Sequence, residues 1–125
     1  MKTKKLYYME SHLAGRQYYE ADEAWDRLKI GTILRLERDL DNRFDRYAVA
    51  VMLDVTTEGS KKPKEVTVET FHLGYLPAHE NKEIAVLLEM GWNNVFECRI
   101  SKIDPSAHYE NQIRLKICVK RNEAQ

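Results

Sequence analysis

A chain of 125 residues, 43% hydrophobic and 32% charged, holds enough apolar material for one globular domain with its own core, and too much for a disordered segment. Its 20 basic and 20 acidic residues cancel, so it lacks the basic excess with which nucleic-acid binders usually neutralise phosphate; any contact with a polyanion has to come from a local patch. No run approaches the ~20 apolar residues of a membrane span, and the basic start Met1-Lys2-Thr3-Lys4-Lys5 has no apolar core or cleavage site of a secretory signal, so a cytoplasmic location and no membrane partner are expected.

The first predicted strand runs from Leu6 to Leu13 and ends at Ala14-Gly15. Ala21, Ala24, Trp25 and Leu28 then fall at i, i+3, i+4 and i+7, one face of a short helix with acids at its N-terminal end. Gly31 breaks the chain before a strand from about Thr32 to Arg38, in which Leu34 and Leu36 oppose Arg35 and Glu37. A polar turn, Asp41-Asn42-Arg43-Phe44-Asp45-Arg46, leads into Tyr47–Asp54, a strand apolar on both faces and so expected at the centre of a sheet. The stretch Thr56–Lys64, with Gly59, Pro63 and three lysines, reads as an exposed loop.

Val66–Leu76 follows as a strand whose alternation suggests one partly solvated face. Pro77 suits the first turn of a helix, which runs to about Met90, buries Ile84, Leu87 and Leu88 and stops at Gly91. Val95–Ile103 and Gln112–Lys120 are the last two strands, flanking a loop at Pro105-Ser106-Ala107-His108. Tyr7, Tyr8, Trp25 and Trp92 read as core or helix-packing residues. Cys98 and Cys118 lack zinc-site spacing and sit in apolar strands, so they read as structural thiols; the four histidines are scattered. No Gly-rich phosphate loop, metal or cofactor is implied.

The order β-α-β-β-β-α-β-β gives a mainly β (α+β) class. The expected architecture is a single domain over residues 1–125, core about 6–120, folded as a small six-stranded OB-like or SH3-like β-barrel with two short helices. Closure would leave no long bare sheet edge.

Four ordered stretches carry a family signature: Leu13-Ala14-Gly15-Arg16-Gln17-Tyr18-Tyr19; Asn42-Arg43-Phe44-Asp45 between Ile33-Leu34-Arg35-Leu36 and Tyr47-Ala48-Val49; Leu73-Gly74-Tyr75-Leu76-Pro77; and Ile84-Ala85-Val86-Leu87-Leu88 before Gly91. Together they resemble the HIRAN domain, a small module fused to chromatin-remodelling helicases and also found alone in bacteria. The resemblance implies a modified OB-like barrel and, as in the helicase-fused relatives, a groove for the 3′ end of single-stranded DNA.

Carried over residue by residue, it implies DNA-binding roles for Arg16, Gln17, Tyr18, Asn42, Phe44, Asp45, Arg46 and Tyr75. Tyr18 aligns with a tyrosine that contacts the terminal nucleotide, and Phe44 with a base-stacking tyrosine. Asn42 aligns with the asparagine of the same turn, and Asp45 with the acceptor of the 3′-hydroxyl. Tyr75 faces the same groove, and Arg16 and Arg46 are the candidates for a phosphate contact. Gln17 stands where a relative has arginine, and Arg43 replaces the usual proline. The expected function is therefore a non-catalytic nucleic-acid-binding module for 3′-OH ends, in DNA repair or replication-fork processing. A helicase or nuclease is the kind of protein partner it would serve, and the sequence sets no oligomeric state.

Four other readings stay open. Asp45 has a local role as a turn cap, and Phe44 one as a plug at the barrel mouth. The neutral charge favours a protein-interaction adaptor that kept the fold without end binding. A nuclease using Asp39, Asp41 and Asp45 around a metal lacks a lysine or histidine at sensible spacing.

Overall fold

A computed structural model describes residues 3–122. Six strands, β1 (Lys5–His12), β2 (Ile33–Arg38), β3 (Val49–Glu58), β4 (Val66–Tyr75), β5 (Phe96–Ile103) and β6 (Ile113–Lys120), form one antiparallel sheet in the order β1-β6-β5-β2-β3-β4. Among the described residues a single α-helix, α1 (Lys82–Glu89), lies between β4 and β5, and three short 3₁₀ turns occupy Arg16–Tyr18, Trp25–Arg27 and Tyr109–Asn111.

The expected closed barrel is not formed. β1 and β4 are the two ends of the sheet, and among the described residues their strands are linked only by the bridge Ala14–Tyr75, through Ala14 N–H to Tyr75 O (2.8 Å) and Tyr75 N–H to Ala14 O (2.9 Å). Two features stop a ladder there. The turn at Gly15 diverts the chain after Ala14, and the first half of β4 instead pairs outward with Asp54–Glu58 of β3 in an exposed ribbon. Gly74 lets the two backbones meet at the bridge: a Cβ there would lie 2.5 Å from the Ala14 carbonyl oxygen.

The second expected helix is also absent. Ala21, Ala24 and Leu28 are buried as their spacing requires, but the segment folds as successive turns ending in the 3₁₀ turn at Trp25–Arg27. An eight-residue amphipathic stretch is too short to be helical on propensity alone. Here Glu20 N–H bonds to His72 O (2.8 Å), and Asp22, one of the acids expected at a helix start, pairs with Arg16 instead.

Where the periodicity was strong the elements follow it. On β2, Leu34 is buried and Leu36 half-buried between exposed Arg35 and Glu37; on β6, Ile113, Leu115 and Ile117 are buried against Arg114, Lys116 and Cys118. β3 sits one place in from the edge rather than at the centre, and only its first half, Val49–Val51 with Leu53, is buried. Helix α1 begins at Lys82, not at Pro77, and buries Ile84, Ala85 and Leu88 in the common core, with Leu87 only half-buried. It ends in a Schellman motif: Gly91, at φ +94°, donates to Leu88 O and Trp92 to Leu87 O, both at 3.1 Å.

Trp25 and Phe96 pack against the core, but Tyr7, Tyr8 and Trp92 are exposed, against expectation, although the Tyr8 ring tilts onto Phe96. Cys98 is buried, which pushes its thiol pKa up to about 12. No helix among the described residues is long and apolar enough to cross a membrane.

Candidate nucleic-acid interface

The turn between β2 and β3 is held by its own side chains. Asn42 Oδ1 accepts from the backbone N–H groups of Phe44 (2.8 Å) and Asp45 (3.0 Å), the local bonding for which asparagine favours turns. Asp45 Oδ1 accepts from Tyr47 N–H (2.9 Å), and its Oδ2 accepts from Asn81 Nδ2 (2.7 Å), tying the turn to the fully buried residue that opens α1. Arg38 closes the other side. It donates to the carbonyls of Asp39, Ala48 and Arg46 and pairs with Glu89 at the end of α1. Phe44, at the apex, points outward and is 99% exposed, so it plugs nothing.

Tyr75 lies on the neighbouring strand. Its hydroxyl donates to Asp39 Oδ2 at 2.6 Å and interacts with the Asn42 side chain. Its pKa is pushed up, chiefly by burial and then by Asp39, so it stays protonated across the ordinary pH range. Tyr75, His72 and Tyr19 form a ring cluster, with centroids 4.3 Å (Tyr19–His72), 4.9 Å (His72–Tyr75) and 5.4 Å (Tyr19–Tyr75) apart. Beside it is an open depression of about 450 Å³, whose walls include Glu37, Asp39, Asp41, His72 and Tyr75. Three carboxylates face this space, and Arg38, the cation in its wall, is already committed.

Cations gather instead on the α1 side of the turn. The Arg46 guanidinium lies 5.4 Å and Lys82 Nζ 5.5 Å from the centre of the Tyr47 ring, and Arg43 is exposed. Asp39, Asp41 and Asp45 do not converge: among the described residues no group of three His, Cys, Asp or Glu side chains is placed to hold a metal ion.

The Arg16–Tyr18 segment divides in two. Tyr18 is 76% exposed. Arg16 is 3% exposed, lies 4.9 Å from the Trp25 ring centre and 5.2 Å from that of Tyr109, and pairs with Asp22 at 2.9 Å. Its charge is thus spent inside the fold. Gln17 is half-buried, its Oε1 without a partner.

The structure therefore brings Asn42, Phe44, Asp45, Arg46 and Tyr75 to one rim and leaves Arg16 out of it. Asp39, His72 and Tyr19 belong to the same rim and were not singled out as binding residues in the sequence. Tyr19 was visible there as the second of paired tyrosines, and Asp39 as a carboxylate near the turn. His72 carried no signal, because only the pairing of β3 with β4 places it beside Tyr75.

A family model described as the HIRAN domain matches residues 6–120. Among solved structures, a Lactobacillus plantarum protein from a structural genomics programme is 17% identical with a TM-score of 0.68, covering 94% of this chain and 97% of its own. The HIRAN domain of human HLTF is 13% identical with a TM-score of 0.53, covering 97% of this chain and 84% of its own. At these identities the likeness is one of fold. No curated protein matches. With the family model covering α1 and all of the six strands but Lys5, the chain belongs to the HIRAN domain family.

Proposed function

We propose that this chain is a non-catalytic module that binds nucleic acid, taking the free 3′-hydroxyl end of single-stranded DNA at the β2–β3 turn. The observation that carries the reading is Phe44: a 99% exposed ring at the tip of a turn already fixed by Asn42, Asp45 and Arg38. An apolar ring held out in water without a packing partner is a ready stacking surface, and base–aromatic stacking contributes ~1–3 kcal/mol whatever the base.

Asp45 lies beside it. Each oxygen of this carboxylate already accepts one bond, and an ionised carboxylate has about four acceptor positions, so it retains capacity for a terminal hydroxyl. The same charge repels a 3′-phosphate or a continuing phosphodiester, which gives selectivity by exclusion. In this reading Arg46 and Lys82, both beside the Tyr47 ring, and the exposed Arg43 would supply the contact to the penultimate phosphate, with Tyr18 and Tyr75 as further contacts.

One observation favours the alternative, an adaptor that binds protein: the depression next to Tyr75 is walled by Glu37, Asp39 and Asp41, a poor setting for phosphate. Titration at low salt of short oligonucleotides ending in 3′-hydroxyl or 3′-phosphate separates the two. Preference for the free hydroxyl is expected; no binding to either leaves the adaptor.

A further inference from the structure

The chain is neutral as a whole, but its sheet is not. On the solvent face of β6 and its two neighbours, β1 and β5, the register brings together Lys5, Arg99, Lys102, Arg114, Lys116 and Lys120. The same face holds two carboxylates: Glu97, which pairs with Lys5 and Arg99, and Glu10, which pairs with Arg114. Six cations against two acids leave four positive charges in excess there. Lys102, Lys116 and Lys120 are exposed; Lys102 has Asp104 as a neighbouring charge, while Lys116 and Lys120 form no salt bridge among the described residues. Tyr7, opposite Cys118 on this face, is 58% exposed.

We propose that this stripe is a docking surface for the phosphate backbone of a single nucleic-acid strand. Alternate residues of a strand stand about 6.8 Å apart, comparable with the phosphate-to-phosphate step of an extended single strand. Cations at that interval around an exposed tyrosine combine the two elements of a sequence-tolerant single-strand platform, charge for the backbone and a ring for a base. The face offers a folded protein partner little apolar surface to bury, which argues for a polyanion.

The stripe and the β2–β3 rim also share one solvent face of the sheet. The pairs Ile33–Arg99, Glu37–Ala50 and Ala50–Tyr75 lead in register from β5 across β2 and β3 to β4. Four strand spacings separate β4 from β6, on the order of 20 Å along the sheet. A strand whose terminus lies at the rim would reach the stripe a few nucleotides upstream. Only this polarity and the trinucleotide arm of the test below rest on the end-binding reading; the stripe itself does not.

The test uses the full chain and a Lys102→Gln/Lys116→Gln/Lys120→Gln variant, with a thermal melt to confirm its fold. Fluorescence anisotropy is followed against salt for a trinucleotide and for a strand of roughly twelve nucleotides, within the ~4–16 nucleotide site sizes of single-strand-binding folds. Each is offered with a free and with a phosphorylated 3′ end. For the longer strand, affinity should fall on the order of tenfold and the slope of log K against log salt by about 2, three contacts at ~0.7 each. Trinucleotide affinity should change less than about twofold, because the stripe lies beyond its reach.

An unchanged slope for the long strand overturns the stripe even if the free 3′ end is still preferred. A reduced slope without any 3′-end preference supports the stripe and refutes end binding. Polyglutamate competing as well as DNA of equal charge would assign the surface to acidic protein segments and overturn the proposal. Binding of no oligonucleotide at all would overturn both readings.

Discussion

Phe44 and Asp45 are neighbours in the chain but are set by different forces. Asp45 is fixed by two hydrogen bonds, one of them from a fully buried asparagine, whereas Phe44 is placed only by the backbone between Asn42 and Asp45. Their substitutions should therefore separate. Phe44→Ala should leave the unfolding midpoint within experimental error and weaken oligonucleotide binding about tenfold, the value of one lost stacking contact. An unchanged dissociation constant would remove the ring from the site. Asp45→Ala should instead destabilise by about 1–3 kcal/mol in urea denaturation, because the Tyr47 N–H loses its acceptor and the Asn81 amide is stranded in the interior. Asp45 as a turn cap, one of the roles open from the sequence, is therefore what the bonding displays; the 3′-hydroxyl contact would be an additional duty of the same carboxylate.

At the scale of elements, motifs written in adjacent residues were legible and those that depend on partners were not. The alternation of β2 and β6 and the glycine stop of α1 each need only a few consecutive residues, and each is found within a residue or two of its expected place. Pro77 looks like a first-turn residue, but the first turn of α1 follows Asn81, whose side chain bonds across to Asp45 rather than to its own helix. The 21–28 segment failed in the same way: its burial pattern was right, but bonds to His72 O and to Arg16 shaped it into turns. Gly74 is a local residue with a distant reason. Gly74→Ala would drive a methyl group to 2.5 Å from the Ala14 carbonyl and part the bridge between the ends of the sheet. A loss of about 1–3 kcal/mol is expected. Faster hydrogen exchange at the Ala14 and Tyr75 amides should accompany it, and protection equal to wild type would show that the bridge survives.

For the whole molecule, stability should depend on pH through ion pairs that span the sheet. The Asp54 carboxyl is held below its ordinary range chiefly by its hydrogen bonds from Arg35 across β2–β3, and Glu97 chiefly by Lys5. A carboxylate with a lowered native pKa contributes fully above its unfolded value of ~4 and loses that contribution as pH falls through the native value. The urea midpoint should therefore be flat from pH 7 to about 5 and fall below that, with part of the fall absent in Asp54→Asn. A midpoint independent of pH down to about 3 would show that these pairs contribute nothing.

By itself the sequence determined the family, the strands and the polar turn, because strand alternation, turn chemistry and ordered motifs are local properties of the chain. Only the tertiary structure decided that the sheet stays open, that Arg16 turns inward between two rings, and that His72 and Asp39 join Tyr75 at the rim. It also decided that a chain of zero net charge sets six of its 20 cations together on one face of β1, β6 and β5. Each of these depends on which strand lies beside which, and pairing between residues as distant as Ala14 and Tyr75 is settled by long-range packing, to which a one-dimensional pattern has no access.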